Sequence, residues 1–439
     1  MTQLQVRTDP FQPDAGGDVL LDWFDAKRAA STVRYEPKFL KGLAPSPVAR
    51  DLLRLGGAVY CTDKVVKRAA TPDAWTRDLT LQVPVSDVAL WDGAKAELVK
   101  ALSFLSGDHW DLDFVADTDE SPTARPLVSD YDGVSLFSGG LDSLAGVIDL
   151  LESGQQLVLV GHHDSPLTDH KQTELYEALR RQYGRDRLTL RRLYLRPAGH
   201  RGTQARPLPR GGLENTTRSR SFLFFAAGLA VADALGATEP LYVPENGFIG
   251  INVPLTPARA GSLSTRTTHP LYMQRMRTAL DLIGLGHPIE NPYRLLTKGE
   301  ALERSSNRKL LLRLAPQSVS CSHPEAPRWA KRPQGNCGYC YPCLIRRASM
   351  HFVGTDHAAD YAWDALTDAT LLRRSTKRGR SLRALTASLG QAERTEDVLT
   401  NGRIPNGETS AFFDVYCRGR AELRAWLTGA GPALRRRLR

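Results

Sequence analysis

The chain has 439 residues, more than one ordinary domain at ~150 residues each, and 41% of them are hydrophobic, enough for a large core. Fifty-eight lysines and arginines against 48 acidic residues leave a formal charge of +10. Such a surplus suits ATP, an acidic partner or nucleic acid, but without interleaved aromatics it reads first as a solvated arginine-rich surface. No apolar run approaches membrane-spanning length, and MTQLQVRTDPFQPDAGG carries no signal-peptide pattern, so a cytoplasmic protein without a membrane partner is expected. Six cysteines, four of them crowded together, point to metal and away from a disulfide framework.

Residues 1–127 read as a separate unit. Pro10, Pro13, Gly16 and Gly17 mark a loose start, and residues 77–85 and 109–115 alternate as strands. Residues 87–106 carry Leu90, Leu98, Leu102 and Leu105 on or near one helical face. Strand, helix, strand predicts a small α+β domain. It holds no catalytic constellation, and Cys61 reads as a buried small hydrophobe. Residues 116–130, polar and proline-containing, are expected to form a linker.

From Tyr131 strand and helix alternate. Val134, Leu136 and Phe137 read as a short buried strand, SGGLDS at 138–143 as a turn, and residues 144–151 as a helix. A strand, a glycine turn and a helix N-terminus make an anion site: Gly139 and Gly140 let the backbone approach a phosphate, and the first-turn N–H groups point at it. Ser138 and Ser143 add hydroxyls, and Asp142 is a carboxylate able to hold magnesium between phosphate oxygens. No lysine follows the glycines, so this is not the G-x-x-x-x-G-K-[ST] loop. The bland alternative is a glycine turn at a helix start with no ligand.

Residues 157–161 suit a central parallel strand, 173–185 a helix, 188–195 a strand, and 196–212 a loop rich in proline, glycine and arginine. Residues 218–235 read as a buried helix and 240–244 as the next strand. This alternation predicts an α/β fold with a doubly wound parallel sheet, whose ligands sit beyond the carboxyl ends of the strands. Residues 247–270 are expected as an irregular loop flanking the site, followed by helices at 271–285 and 297–314. Beyond Met350 the chain reads as helical and basic.

Cys321, Cys337, Cys340 and Cys343 form C-x15-C-x2-C-x2-C. Two residues between thiolates let neighbouring cysteines converge on one ion, with Gly338 and Pro342 favouring tight turns. Four thiolates describe a closed structural zinc site. His323 reads as a loop residue, since four cysteines suffice.

The string VSLFSGGLDS matches the SGGxDS loop of the PP-loop ATP pyrophosphatase superfamily. With NTTRSRSFLFFAAGLAVADALGA, ENGFIGINVPL, NPYRLLTKGE and CGYCYPCLIRR following in order, residues 131–350 resemble the 7-cyano-7-deazaguanine synthases. The resemblance implies a PP-loop domain with its zinc module over residues 128–350, between the N-terminal domain 1–127 and a helical, basic extension 351–439. It implies ATP as co-substrate with Mg2+ and a structural Zn2+, held by Ser138, Gly139, Gly140, Leu141, Asp142 and Ser143 and by the four cysteines. Asp142, Ser143, Lys298 and Arg218 stand at catalytic positions, the last two alternatively as a helix-start ion pair with Glu300 and a surface arginine. Glu245, Asn246, Gly250 and His162 stand near the substrate, 7-carboxy-7-deazaguanine.

In that family ATP adenylates the carboxylate, ammonia gives the amide, and a second ATP dehydrates it to a nitrile. GHHDS at 161–165 and TTHPLY at 267–272 depart from the family pattern, and the two terminal regions are additions. So enlarged, the chain looks like the QueC-like proteins of bacterial anti-phage systems, notably the QatC type, for which the resemblance implies transfer to the amino terminus of a partner protein. Other readings are a synthase of the free nitrile, a tRNA-modifying PP-loop enzyme, and a non-catalytic ATP-binding scaffold.

Overall fold

The computed structural model describes residues 1–8, 18–23, 33–35, 37–117, 130–163, 165–197, 213–214, 218–236, 239–255 and 266–438. The expected loose start, most of the linker at 116–130, all but the first two residues of the loop at 196–212 and the centre of 247–270 lie outside these residues.

The chain opens with β1 (Thr2–Arg7), β2 (Val19–Asp22), β3 (Val33–Tyr35), α1 (Pro47–Val65), β4 (Asp78–Val85), α2 (Val88–Ser106) and β5 (His109–Ala116). The middle runs through β6 (Gly133–Leu136), α3 (Leu141–Glu152), β7 (Leu157–His163), α4 (Pro166–Tyr183), β8 (Leu188–Pro197), α5 (Arg220–Leu235), β9 (Leu241–Tyr242), α6 (Gly247–Ile251), α7 (Pro270–Leu282) and β10 (Ile289–Glu290). Helices α8 (Lys298–Glu303), α9 (Arg308–Leu314), α10 (Tyr341–Phe352), α11 (Arg380–Leu389), α12 (Thr409–Leu427) and α13 (Pro432–Leu438) complete it.

Two largely parallel sheets result. The first has the order β2-β1-β4-β5 and every pairing in it is parallel. That makes the N-terminal region α/β in pattern, where strand-helix-strand reasoning predicted α+β. Four of its elements, β1, β2, β3 and α1, have no counterpart in the sequence reading. Helix α1 escapes because Gly56 and Gly57 interrupt its middle and lower its helix propensity. It is also apolar nearly all round, with Leu52, Leu55, Ala58, Val59 and Cys61 all buried, so it shows no amphipathic stripe.

The second sheet has the order β10-β9-β6-β7-β8-β3; its first five strands are parallel and β3 joins the edge antiparallel. Counted from β6, the five parallel strands stand 3-2-1-4-5, the doubly wound arrangement that reverses direction between β6 and β9. Alternate residues serve the two faces, as strand pleating requires. Leu157, Leu159 and Leu188 pack with Leu141, Leu144 and Leu175 of α3 and α4, while Val134, Leu136, Val158 and Val160 pack with Phe222, Phe225 and Leu229 of α5.

Helices α1 and α2 lie between the sheets, α1 against α5 and α2 against α7. At Gly56 the backbones come so close that a Cβ would stand 2.7 Å from Ala226 Cβ. One apolar core therefore includes Leu4, Leu81 and Leu98 together with Val158, Ala226 and Leu241. A second core joins α6, α10, α11 and α12. The stretch 297–314 is two helices where one is expected; Asn307 caps the second.

Candidate functional site

Strand β6 ends in the glycine turn. Gly139 has a left-handed φ of +79°, which a side chain would strain, and Gly140 caps α3 with no side-chain bond of its own. The two serines shape the turn. Ser138 Oγ accepts from Gly140 N at 3.2 Å and meets Ser143 Oγ at 3.2 Å, while Ser143 Oγ donates to Gly140 O at 3.1 Å. Buried Gln172 sits against Gly139 and Gly161 and donates to Ser138 O and His162 O.

Asp142, in the first turn of α3, is the centre of the charged groups. Lys298 Nζ approaches its Oδ1 to 2.6 Å, and Asn246 Nδ2 donates to its Oδ2 at 2.8 Å. Lys298 arrives at the first position of α8, whose capping box of Thr297 and Glu300 fixes the helix start. Glu300 spends itself on that box and on Arg418, so it is no partner of Lys298. Asn246 arrives just beyond β9 and caps α6 by accepting from Ile249 N at 3.0 Å. Because β9 lies beside β6, these groups meet at the reversal of strand order, where doubly wound sheets bind ligands. Lys298 Nζ thus pairs with one oxygen of Asp142 and Asn246 Nδ2 with the other.

Glu245, next to Asn246, accepts from Thr268 Oγ1 at 2.5 Å. Burial, aided by the charge of Asp142, pushes its carboxyl up to about 7. Gly250 faces Thr268 too, with 3.0 Å from its would-be Cβ to Oγ1. The segment read as irregular loop thus begins with a helix turn, α6, that presents Glu245 and Asn246.

The four cysteines converge. Their sulfurs all lie within 4.8 Å of one another, with Cys321 to Cys340 at 3.8 Å and Cys337 to Cys343 at 3.9 Å. Sulfurs around a tetrahedral zinc at ~2.3 Å stand ~3.8 Å apart, whereas a disulfide bond is ~2.05 Å. The cluster can hold a metal ion such as zinc. Backbone N–H groups of His323 and Cys337 donate to Cys321 Sγ, and that of Cys340 donates to Cys337 Sγ. Gly338 turns between two ligands with a φ of +84°, and Pro342 opens α10, which carries Cys343.

This module is fastened to the glycine turn. Val319 N donates to Gly139 O at 2.9 Å, and Leu141 N donates to Ser320 Oγ at 3.1 Å. Buried Arg346, three residues past Cys343, donates to Ser318 Oγ and Ala315 O. The residue before the first sulfur ligand therefore touches the first amide of α3.

Two predicted site residues stand elsewhere. Arg218 lies at the end of α2, donating to Ser106 O at 3.2 Å with its guanidinium 4.5 Å from the Trp75 ring centre. His162 is fully buried; Nδ1 accepts from Arg220 Nε at 3.1 Å, so Nε2–H donates to Leu195 O at 2.9 Å. Its ring packs edge-on against Tyr60 and Phe224. Sequence reasoning missed Arg220 and Gln172, which hold this strand end, and Glu422 of α12. Glu422 accepts from Thr297 Oγ1 and from Gly299 N beside Lys298, and burial pushes its carboxyl up to about 7. No pattern near Glu422 signals that contact.

No protein-family model, no curated protein and no solved structure matches the chain. Among the described residues no helix is long and apolar enough to cross a membrane.

Proposed function

We propose that this chain is a QueC-like PP-loop enzyme that uses ATP to adenylate a 7-deazaguanine carboxylate and then transfers the acyl group to an amine, the amino terminus of a partner protein in an anti-phage defence system. The observation that carries this reading is the meeting of Asp142, Lys298 and Asn246 beside a serine- and glycine-built turn, at the reversal of strand order.

The first step forms a bond from a carboxylate oxygen to the α-phosphorus and breaks the bond to pyrophosphate. In the second, the amine nitrogen attacks the acyl carbon, AMP departs with the oxygen, and the amine gives up a proton. Amides of the α3 N-terminus suit the triphosphate, and Lys298, exchanging Asp142 for the leaving pyrophosphate, offsets its charge. Glu245, with a carboxyl near neutrality, suits the proton transfer. Zinc on Cys321, Cys337, Cys340 and Cys343 would hold the segment at 315–346 against the turn and supply no reactive position.

The test is intact mass of the product of the neighbouring gene, co-expressed with this protein and with its Asp142→Ala variant, alongside release of AMP and pyrophosphate. The reading requires a mass increase that Asp142→Ala abolishes. Quantitative free nitrile without any partner would assign the ordinary synthase reaction instead.

A further inference from the structure

Three arginine and histidine donors at the end of α2 have no partner that accounts for them. Asp63 and Asp108 are already taken by Arg68 and Arg77: Asp108 Oδ2 lies 2.8 Å from Arg68 Nη2 and 2.6 Å from Arg77 Nη2, and Asp63 Oδ1 lies 2.6 Å from Arg77 Nη2. The other Asp63 oxygen accepts from Ser219 N and Oγ. Arg218, only 6% exposed, is left with Ser106 O on Nη1 and nothing on Nη2. Arg266 donates Nη1 to Phe104 O at 2.6 Å, and its buried Nε is unpartnered. His269, fully buried, accepts from Leu271 N on Nδ1, which leaves Nε2–H a donor without an acceptor.

These groups are neighbours. Arg266 lies 4.7 Å over the Phe104 ring, and the His269 ring lies tilted against the same ring with centres 5.0 Å apart. Burial first, then the charges of Arg68 and Arg266, lower the Arg218 guanidinium to about 9. Burial first and then Arg266 likewise lower His269 to about 3. Orphaned buried donors are costly, and a buried cation without a carboxylate more so. Capping the last carbonyls of α2 explains one nitrogen of each arginine, not the remaining ones.

We infer that Arg218, Arg266 and His269 form a recessed oxyanion pocket, which takes a carboxylate or phosphate group of a small molecule. It is separate from Asp142, yet close along the chain, since Thr268, which bonds Glu245, directly precedes His269. The inference stands whether or not the glycine turn binds nucleotide.

The test follows thermal unfolding of the full chain in inorganic phosphate and in acetate, each against chloride at equal ionic strength, for the wild type, Arg218→Gln and Asp142→Asn. A ligand bound only by the folded state raises the melting temperature with its concentration. The wild type should be raised by at least one probe, and the better probe identifies the source of the oxyanion. Arg218→Gln should weaken apparent binding about tenfold or more, the effect of losing a charge-assisted bond, while Asp142→Asn keeps the shift. No anion-specific shift in the wild type overturns the pocket, as does a shift that Arg218→Gln retains. Should Arg218→Gln fail to fold, Arg266→Gln is read by the same two outcomes.

Discussion

The contact between Lys298 and Asp142 ties a side chain that enters at a capping box to one that enters in the first turn of a helix. Both are largely buried, where opposite charges attract more strongly than in water. On the proposed reaction, Lys298→Met is expected to leave the fold intact and to cut pyrophosphate release about 100-fold or more, the range for losing one charge-stabilising group; a coupled pyrophosphate assay with a melting curve checks both halves. Two other carboxyls, Glu245 and Glu422, are raised to about 7. A raised acid binds its proton more tightly in the folded state, so the contribution of each to stability is full below the unfolded value of 4.5 and is lost as pH climbs through about 7. The melting temperature of the wild type relative to Glu245→Gln and to Glu422→Gln should therefore decline between pH 4.5 and 8.

At the scale of elements, the cysteine module and the glycine turn act as one piece. Four sulfurs set α10 and the loop from Cys321, Arg346 anchors the segment at 315–318, and Ser320 with Val319 grips the turn. Metal analysis of the purified chain should give one ion per molecule. Stripping it with a chelator under mild denaturant should lower the melting temperature and, on the proposed function, weaken binding of an ATP analogue together, because the turn loses the segment that holds it. Helix α1 makes a second such joint: Gly56→Val would push methyl groups into Ala226 and the Leu223 backbone. A loss of about 1–3 kcal/mol, the usual result of overpacking a tight core, is expected by chemical denaturation.

Across the whole molecule, regions that read as separate additions share cores with the central sheet. The N-terminal region lends β3 to that sheet and packs α1 and α2 on its helices. The C-terminal region sends α12 to α6, α8 and α10, where Phe248 stacks on Tyr416 and Glu422 meets the start of α8. Trp426, 1% exposed, packs under Arg347 and donates to Asp356. Trp426→Ala should cost about 3–5 kcal/mol, measured by denaturant unfolding.

Much of the site was legible because it is local. Ser138–Ser143 is contiguous between a strand and a helix, and Cys337, Cys340 and Cys343 stand at three-residue steps. Asn246 and Lys298 were flagged at their positions, but nothing near them in the chain shows that both reach Asp142. His162 and Arg218 sit at plausible places in the sequence, yet one is locked by Arg220 and Leu195 and the other caps α2. The amino-acid order by itself determined the alternation of buried strands and helices, the glycine turn and the metal-ligand spacing, since each depends on neighbours within a turn or two. Only the tertiary structure decided that β9 lies beside β6, that α12 closes over α8, and that a cationic cluster gathers at the end of α2. Those outcomes depend on which distant apolar faces bury one another, and burial of that kind leaves no mark on short-range order.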